Sequence, residues 1–458
     1  MNETAATGGT GEKGAAGGVR DGSEAAGATR RVRRAGRRGR AASPDLHAGL
    51  GPGARPVVQL KYADAGALYV TWRWEHALDT PGMVVFPREA VRGVLTELAA
   101  ALPSPLPGED VERALARSLG GGAFTDPVRE RALAMRLTGL LPGPLAQELD
   151  ALIGRGIRPR LRVQPSPSTA QVPWEALRGS DGERLVESAD VALLPPATVR
   201  NSPARRPSPW RPEGPVAVAL DPRVPGFPDD SALGSVLGPV AAGSPLAALA
   251  ERLGPRLLPA GARQAPFRRR DVTREVLEPL LAEAVRFLYV GHVSTADHGL
   301  GAALHLGCGP ETTGRAALVG AHRPLTAADL VLGHRPEAPR PWRMPNRVAF
   351  IACESGGDLR FAEPTGLVAA AVHGGAEYVT ATRWTLPTDA GLRHFAPAAG
   401  AETSVVPEAV LAVDAAHEAA DPVAALNAWQ AGRARLWEAT GRIEHTPLFW
   451  AAFTTTHG

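Results

Sequence analysis

The sequence predicts an α/β protein built on a doubly wound, mostly parallel sheet flanked by helices. From about residue 159 onward, short apolar segments alternate with stretches of helical length, a pattern typical of such a sheet. The segments Arg-Phe-Leu-Tyr-Val and Val-Ala-Phe-Ile-Ala are almost wholly apolar, as expected for parallel strands that are buried on both faces. Between residues 80 and 155, apolar residues recur at spacings of three and four, which predicts a helical N-terminal subdomain.

The predicted elements follow from these periodicities and from the Pro, Gly and Asp residues that punctuate them. We expect strands at Val57–Ala63, Ala67–Glu75, Leu161–Gln164, Val191–Leu194, Val216–Leu220, Val285–Val290, Val348–Ala352 and Tyr378–Ala381. We expect helices over 88–102, 109–119, 126–139, 143–154, 242–253, 271–284, 326–332, 364–373, 388–398 and 421–437. The predicted organisation is a disordered tail over 1–55, a strand pair with a helical subdomain over 56–158, and the α/β domain over 159–458.

The tail carries most of the excess positive charge. Residues 1–55 hold ten basic and five acidic residues, so the tail is +5 and the remainder of a chain with net charge +3 is −2. A nearly neutral globular part argues against a nucleic-acid-binding domain, and only the Arg30–Arg40 cluster could contact nucleic acid, acidic lipid or an acidic partner. The alternative is a solvated, solubilising tail.

Cysteine content and hydropathy indicate a cytoplasmic protein without a membrane segment. Two cysteines, Cys308 and Cys353, are too few for a disulfide framework in 458 residues. No stretch approaches the ~18 apolar residues that a spanning helix needs. The sequence has neither G-x-x-x-x-G-K-[ST] nor G-x-G-x-x-G after a strand, which argues against a nucleotide-binding domain of either type.

Two reactive side chains follow predicted strands directly. Val285–Val290 runs into Gly291-His292, and the strand ending at Ala352 runs into Cys353. If these strands are neighbours, the imidazole and the thiol share the crevice at the carboxyl ends of the sheet. An imidazole can activate a thiol, whose free pKa is about 8.5, and can later protonate a leaving amine.

Glycines beside these residues are expected to form tight turns whose amides bind an oxyanion. Gly291 precedes the histidine, and Gly356 follows the cysteine by three residues. Together these features predict a cysteine nucleophile, a histidine base and part of an oxyanion hole. The alternatives are an inert buried cysteine and a histidine bonded to a backbone carbonyl.

The segment Asn346–Asp389 resembles the catalytic half of CHAT domains, the bacterial branch of caspase-like peptidases. The element Ile351-Ala352-Cys353-Glu354-Ser355-Gly356 is similar to the family's Ser-Ala-Cys-Glu-Thr-Gly, and Tyr289–His292 is similar to its strand ending in Gly-His-Gly. Weaker similarity covers Val172–Leu177, Leu325–Leu330 and the closing segment His445–Phe453, which resembles the family's final strand. The resemblance therefore spans roughly residues 140–458.

This resemblance implies a caspase-like fold and a cysteine endopeptidase without a cofactor or a metal, with Cys353 as nucleophile and His292 as general base and acid. It also implies a protein or peptide substrate, a regulatory protein partner, and a role in bacterial defence, cell death or signalling. The family usually has Gly directly after the histidine, whereas this chain has Val293, a β-branched residue that narrows the allowed backbone. The alternative function is a catalytically degenerate caspase-like module that binds proteins.

Several further residues admit two interpretations. Trp384 either lines a substrate pocket or packs in the core. Asp297 either orients His292 at the edge of the pocket or is a solvated turn residue. Glu354 is expected to be an exposed turn residue or a helix-dipole partner. His298, His305 and Cys308 do not match a compact zinc spacing, so we expect no metal site.

Overall fold

The computed structural model describes residues 46–51, 53–179, 181–263, 265–361, 365–400 and 402–458. The predicted disordered tail lies, as far as residue 45, outside the described residues. Residues 49–458 form one compact unit. No helix in the described part of the chain is long and apolar enough to cross a membrane.

The described residues form fourteen strands and fourteen α-helices. The strands are β1 Val57–Ala65, β2 Ala67–Trp74, β3 Ala77–Phe86, β4 Arg160–Gln164, β5 Asp190–Leu193, β6 Val216–Leu220, β7 Leu257–Leu258, β8 Arg286–Val290, β9 Val293–Ser294, β10 Ala303–Leu304, β11 Leu325–Thr326, β12 Arg347–Ile351, β13 Tyr378–Thr382 and β14 Phe453–His457. The helices are α1 Arg88–Ala101, α2 Val111–Gly121, α3 Pro127–Thr138, α4 Gly143–Ile153, α5 Leu185–Ser188, α6 Ala197–Arg200, α7 Pro245–Leu253, α8 Arg274–Glu283, α9 Ala327–Leu332, α10 Leu367–His373, α11 Asp389–Phe395, α12 Val405–Glu418, α13 Pro422–Thr440 and α14 Pro447–Trp450.

Eleven of the described strands form one sheet in the order β3-β2-β1-β4-β5-β14-β13-β12-β8-β6-β7. Pairing is antiparallel only for β1–β2, β2–β3 and β13–β14, and parallel elsewhere in this sheet. The prediction of a mostly parallel α/β sheet is confirmed. Because β1 pairs with β4, the N-terminal strands belong to the same sheet as the strands after residue 159.

Helices cover both faces at the centre of this sheet. One face packs Phe287, Tyr289 and Phe350 against α8, α9 and α10 in a single apolar core. The alternate residues Arg286 and Arg347 point to the other face, where they bind groups on α12. The central strands β6, β8 and β12 are buried throughout, which explains why their sequences are almost wholly apolar apart from Arg286 and Arg347.

The predicted strands are confirmed to within two residues at each end, and the predicted helices to within three. Three longer elements were not predicted, namely β3, α12 and β14. Strand β3 contains Pro81-Gly82, which a sheet edge tolerates. The expectation of a final strand over His445–Phe453 was wrong, because Pro447–Trp450 is helical and β14 begins at Phe453.

Candidate active site

His292 and Cys353 lie at the carboxyl ends of two neighbouring parallel strands. In the register of β8 and β12, Val290 is opposite Ile351, so each reactive residue follows its strand by two positions. The amide of Gly291 continues the pairing beyond the strand by donating to the Ile351 carbonyl over 3.2 Å. The neighbouring strands that the sequence analysis required are therefore present, at the edge where ligands bind in open α/β sheets.

The turn at Gly291 has no room for a side chain. A Cβ atom there would lie 2.8 Å from the Tyr289 hydroxyl oxygen and 3.4 Å from Pro222 Cδ. The Tyr289 hydroxyl lies 2.6 Å from the carbonyl oxygen of His292 and 3.0 Å from that of His305. Gly291 thus lets a buried tyrosine reach around the turn and fix the backbone that carries His292, a contact that sequence analysis missed.

The His292 imidazole is bonded to a backbone carbonyl. Its Nε2 lies 3.0 Å from the Gly234 oxygen. A carbonyl oxygen only accepts, so Nε2 carries the proton and Nδ1 is the nitrogen that can act as a base. Burial lowers the pKa of His292, against the opposing effects of the Gly234 carbonyl and the Asp221 carboxylate. The imidazole is therefore neutral at pH 7, as a general base must be.

Asp221 holds the loop that presents the Gly234 carbonyl. It follows β6, is buried, and has a left-handed backbone with φ of 52°. Its carboxylate accepts hydrogen bonds from the Ser235 hydroxyl at 2.5 Å and the Val236 amide at 3.0 Å. Arg268 donates to the same carboxylate over 3.1 Å. The loop that presents the Gly234 carbonyl to His292 is thus fixed by the ion pair between Asp221 and Arg268. No local sequence pattern indicates this pair.

Cys353 has a partly buried thiol whose Sγ lies 3.7 Å from the Leu386 carbonyl oxygen. Burial raises the pKa of the Cys353 thiol, and the neighbouring Glu354 carboxylate raises it further, whereas the Leu386 contact lowers it. The resting thiol is therefore protonated at neutral pH. Among the hydrogen bonds of the described residues, none joins this thiol to His292.

The amides that follow Cys353 already have acceptors. Those of Glu354 and Gly356 donate to the carbonyls of Trp384 and Thr382 over 3.1 and 2.9 Å, and that of Ser355 donates to the Thr382 hydroxyl over 3.2 Å. The Gly356 amide therefore stabilises the turn and does not bind an oxyanion. A Cβ atom on Gly356 would lie 3.1 Å from the Thr382 carbonyl oxygen.

Val293 lies in an extended segment rather than in a tight turn. It belongs to β9 and pairs with Leu304 of β10 in a small three-stranded sheet. β-Branched residues suit extended backbone, so the local fold accommodates Val293 where the family pattern has Gly. Its backbone amide follows His292 directly. We consider this amide and the amide of Cys353 as the two hydrogen-bond donors for an oxyanion.

The expectation that Glu354 is exposed was wrong. Its side chain is buried, and its backbone is left-handed, with φ of 48°. The carboxylate accepts hydrogen bonds from the Ser104 hydroxyl, from Gln171 Nε2 at 3.3 Å and from Arg360 Nη1 at 2.9 Å. The residue after the cysteine is thus anchored by three separate segments of the chain.

The structure also describes the other residues that the sequence analysis named. Trp384 is fully buried and its indole donates to the Leu448 carbonyl over 2.9 Å, which favours its packing role. Asp297 is an exposed residue after β9, as a solvated turn residue would be. The imidazole of His305 contacts the Ser294 hydroxyl at 3.0 Å, and Cys308 is buried. No group of three His, Cys, Asp or Glu residues in the described ranges could hold a metal ion.

The large, mostly parallel sheet thus carries a histidine and a cysteine at the ends of two neighbouring strands. The CHAT domain model matches residues 131–457, so the chain belongs to the CHAT domain family. A search of curated proteins found no match.

Among solved structures, the chain is similar to the separase–securin complex of Saccharomyces cerevisiae. Crystal structures of that complex at 3.0 and 2.6 Å resolution match with 11% identity and TM-scores of 0.44 and 0.42. Each match covers 88% of this chain and 30% of the solved chain. This chain thus spans less than a third of the length of those solved chains.

Proposed function

We propose that the protein is a cysteine endopeptidase in which Cys353 is the nucleophile and His292 the general base and acid. The observation that carries the proposal is the matched register of β8 and β12, which brings both residues out at the same edge of the sheet. The neutral imidazole supports it further, since its free Nδ1 can accept the thiol proton.

The reaction would proceed in two halves. His292 Nδ1 takes the thiol proton as Sγ attacks the peptide carbonyl, and the oxyanion is held by the amides of Cys353 and Val293. The imidazolium then protonates the departing amine, leaving a thioester on Cys353. Water attacks the thioester, Nδ1 takes a proton from that water, and the released thiolate is reprotonated, which returns both groups to their starting state.

A second candidate function is a protein-binding module without peptidase activity. The observation that favours it is the raised pKa of the Cys353 thiol, whose Sγ faces the Leu386 carbonyl. Either function implies a protein or peptide partner. The family further suggests a cytoplasmic bacterial protein with a role in defence, cell death or signalling.

The deciding experiment is cleavage of a proteome-derived peptide mixture, with new termini identified by mass spectrometry. The parent is expected to produce a defined set of cuts, which Cys353→Ala and His292→Ala each abolish. Cys308→Ala is the matched control, because this buried cysteine has no role in the proposed reaction and its variant should cut like the parent. Equal cutting by the parent and both site variants would refute the peptidase assignment.

A peptidyl probe that reacts with thiols separates the two candidates. Labelling of Cys353 that disappears in His292→Ala supports the peptidase. A parent that produces no cuts and whose Cys353 reacts no faster than Cys308 supports the binding module.

A further inference from the structure

A cavity of about 300 Å³ lies on one face of the sheet, away from the strands that carry His292 and Cys353. Its floor is formed by β1, β2 and the end of β4, and one wall by the segment that follows β5 and enters α6. Three cationic side chains line it, those of Lys61, Arg73 and Arg200. We call this cavity, with these three cations, the basic crevice.

We propose that the basic crevice binds a small phosphate-bearing molecule of about nucleotide size. This site is independent of the proposed peptidase function. The argument depends on charge, on the donors that face the cavity, and on the position of the cavity in the sheet.

The three cations of the basic crevice have no acidic partner. In the described part of the chain, no carboxylate forms an ion pair with Lys61, Arg73 or Arg200. Arg73 instead contacts the neutral amide oxygen of Gln59 at 3.3 Å, and Arg200 that of Asn201 at 3.4 Å.

Two arginines of the adjacent strand β4 differ in this respect. Arg160 forms ion pairs with Asp190 at 3.1 Å and with Asp421, and Arg162 lies 3.5 Å from Glu75. The sheet therefore neutralises the cations beside the crevice and leaves those that line it uncompensated. Uncompensated positive charge gathered around a cavity attracts an anion.

The effect of this positive charge extends to neighbouring groups. Burial lowers the pKa of Arg162, and the charge of Arg200 lowers it further. Burial likewise lowers the pKa of His457 to about 4, and Arg200 of the crevice adds a smaller effect after those of Arg162 and Arg160. An anion in the crevice would relieve this repulsion.

The donors suit phosphate. Guanidinium groups match phosphate oxygens in paired hydrogen bonds, and an ammonium group adds a point charge. The side chains of Gln164 and Thr71 also line the crevice and can donate hydrogen bonds to the remaining oxygens, whereas the Gln59 amide already donates to Glu75. A volume of about 300 Å³ is at the lower end of ligand pockets, which fits one nucleotide better than a macromolecule.

The position of the basic crevice in the sheet also supports a ligand site. Gln164 is the last residue of β4, and Leu194 and Pro195 follow the end of β5. The crevice thus opens at the carboxyl ends of parallel strands, where open α/β sheets bind ligands. No glycine-rich phosphate loop is involved, so motif searches would not find the site.

The test is calorimetric titration of the full chain with ATP and, separately, with inorganic pyrophosphate at fixed ionic strength and without divalent cations. The parent should bind both, because the phosphates carry the interaction. The variant Arg73→Gln/Arg200→Gln should bind ATP at least about tenfold more weakly, as expected for the loss of hydrogen bonds to a charged group. The melting temperature of each variant checks that it is folded.

The matched control is Arg206→Gln/Arg211→Gln, which removes the same two charges from exposed arginines between α6 and β6 that do not line the crevice. It should bind ATP like the parent. Equal weakening by the control, no binding by the parent, or parent-like binding by the double variant would each overturn the proposal. So would binding only to oligonucleotides, which would indicate a nucleic-acid surface instead. None of these outcomes depends on peptidase activity.

Discussion

The hydroxyl of Ser104 donates a hydrogen bond to the carboxylate of Glu354, across 250 positions of sequence. Ser104 lies between α1 and α2, before the first residue that matches the family model, whereas Glu354 follows the proposed nucleophile directly. The same hydroxyl lies 3.3 Å from the Thr385 amide, which donates to it. The N-terminal helices are thus bonded to the turn that carries Cys353.

Replacing Glu354 by Gln should accelerate alkylation of Cys353 at a fixed pH near 8. The negative charge of Glu354 raises the pKa of the Cys353 thiol, so its removal lowers that pKa and increases the thiolate fraction. The amide of Gln can still bond Ser104, which preserves the turn. The measurement is the rate of iodoacetamide modification of Cys353 against pH, read by mass spectrometry.

Ser104→Ala provides the companion variant. It keeps the charge of Glu354 and removes a hydroxyl that bonds Glu354, Gln171 and the Thr385 amide. Because each buried hydrogen bond typically contributes ~1 kcal/mol, it should lower the free energy of unfolding by at least about that amount. Ser118→Ala, in the neighbouring helix α2, removes a buried serine with one hydrogen bond and is the control. Unchanged alkylation in Glu354→Gln would show that the carboxylate does not influence the thiol.

Cleavage by the proposed peptidase should persist to lower pH than an ordinary histidine would allow. Burial lowers the pKa of His292, and the base is active only when neutral. As pH falls through that lowered pKa, Nδ1 becomes protonated and kcat/KM is lost. The midpoint of the acidic limb of the pH profile should therefore lie below the ordinary pKa of a histidine, about 6.5. The pH profile of kcat/KM on an identified peptide measures this, and a limb at or above that value contradicts it.

Asp221→Asn should reduce kcat/KM and move the same limb to still lower pH. The charge of Asp221 raises the pKa of His292, and its carboxylate fixes the turn that presents the Gly234 carbonyl. We expect a loss of about tenfold, typical of a residue that orients another group. Asp229→Asn is the matched control, since Asp229 binds the same Arg268 at 2.6 Å but is largely exposed. Equal effects of the two variants would assign Asp221 a purely structural role.

The sequence was sufficient to predict eight of the eleven strands of the large sheet and the positions of His292 and Cys353 at neighbouring strand ends, because buried parallel strands are almost wholly apolar and end where polar residues begin. It was not sufficient to predict what fixes those residues. Gly234 and His292 are 58 positions apart, and the contact uses a backbone carbonyl that every residue possesses. Asp221 and Ser104 act from loops, where no periodicity distinguishes an anchoring side chain from a solvated one.

The two errors have different origins. Glu354 was expected to be exposed because charged residues after a strand usually are, but the distant residues Ser104 and Gln171 and the nearby Arg360 converge on its carboxylate. The final strand was misplaced because an apolar segment of that length fits a short helix and a strand equally well.

Gly291→Ala should destabilise the fold, whereas Gly93→Ala should stabilise it. An added Cβ at Gly291 would lie 2.8 Å from the Tyr289 oxygen, so the tyrosine or the turn must move. Gly93 is exposed within α1 with no atom within 4 Å of the added Cβ, and alanine there is favoured by up to about 1 kcal/mol. Urea denaturation of the two variants checks the opposite signs, and equal stabilities would contradict the crowding at Gly291.

Glu438 should contribute stability that disappears in acid. Its carboxylate on α13 contacts Arg131 at 2.7 Å and Arg184 at 2.5 Å. Burial opposes ionisation, but these arginines and Arg178 outweigh it and lower the pKa of Glu438 to about 2. A carboxyl group whose pKa is lower in the folded than in the unfolded state stabilises the fold above its ordinary pKa and loses that effect as pH falls towards the lowered value.

Glu438→Gln should therefore melt at a lower temperature than the parent at pH 7, and the difference should shrink steadily between about pH 5 and pH 2. Glu213→Gln is the control, because the side chain of Glu213 is 92% exposed and its nearest arginine atom is 3.9 Å away. Its melting temperature should follow that of the parent at every pH. A deficit in Glu438→Gln that stays constant down to pH 2 would mean that side-chain packing, and not the carboxylate charge, links α13 to the arginines.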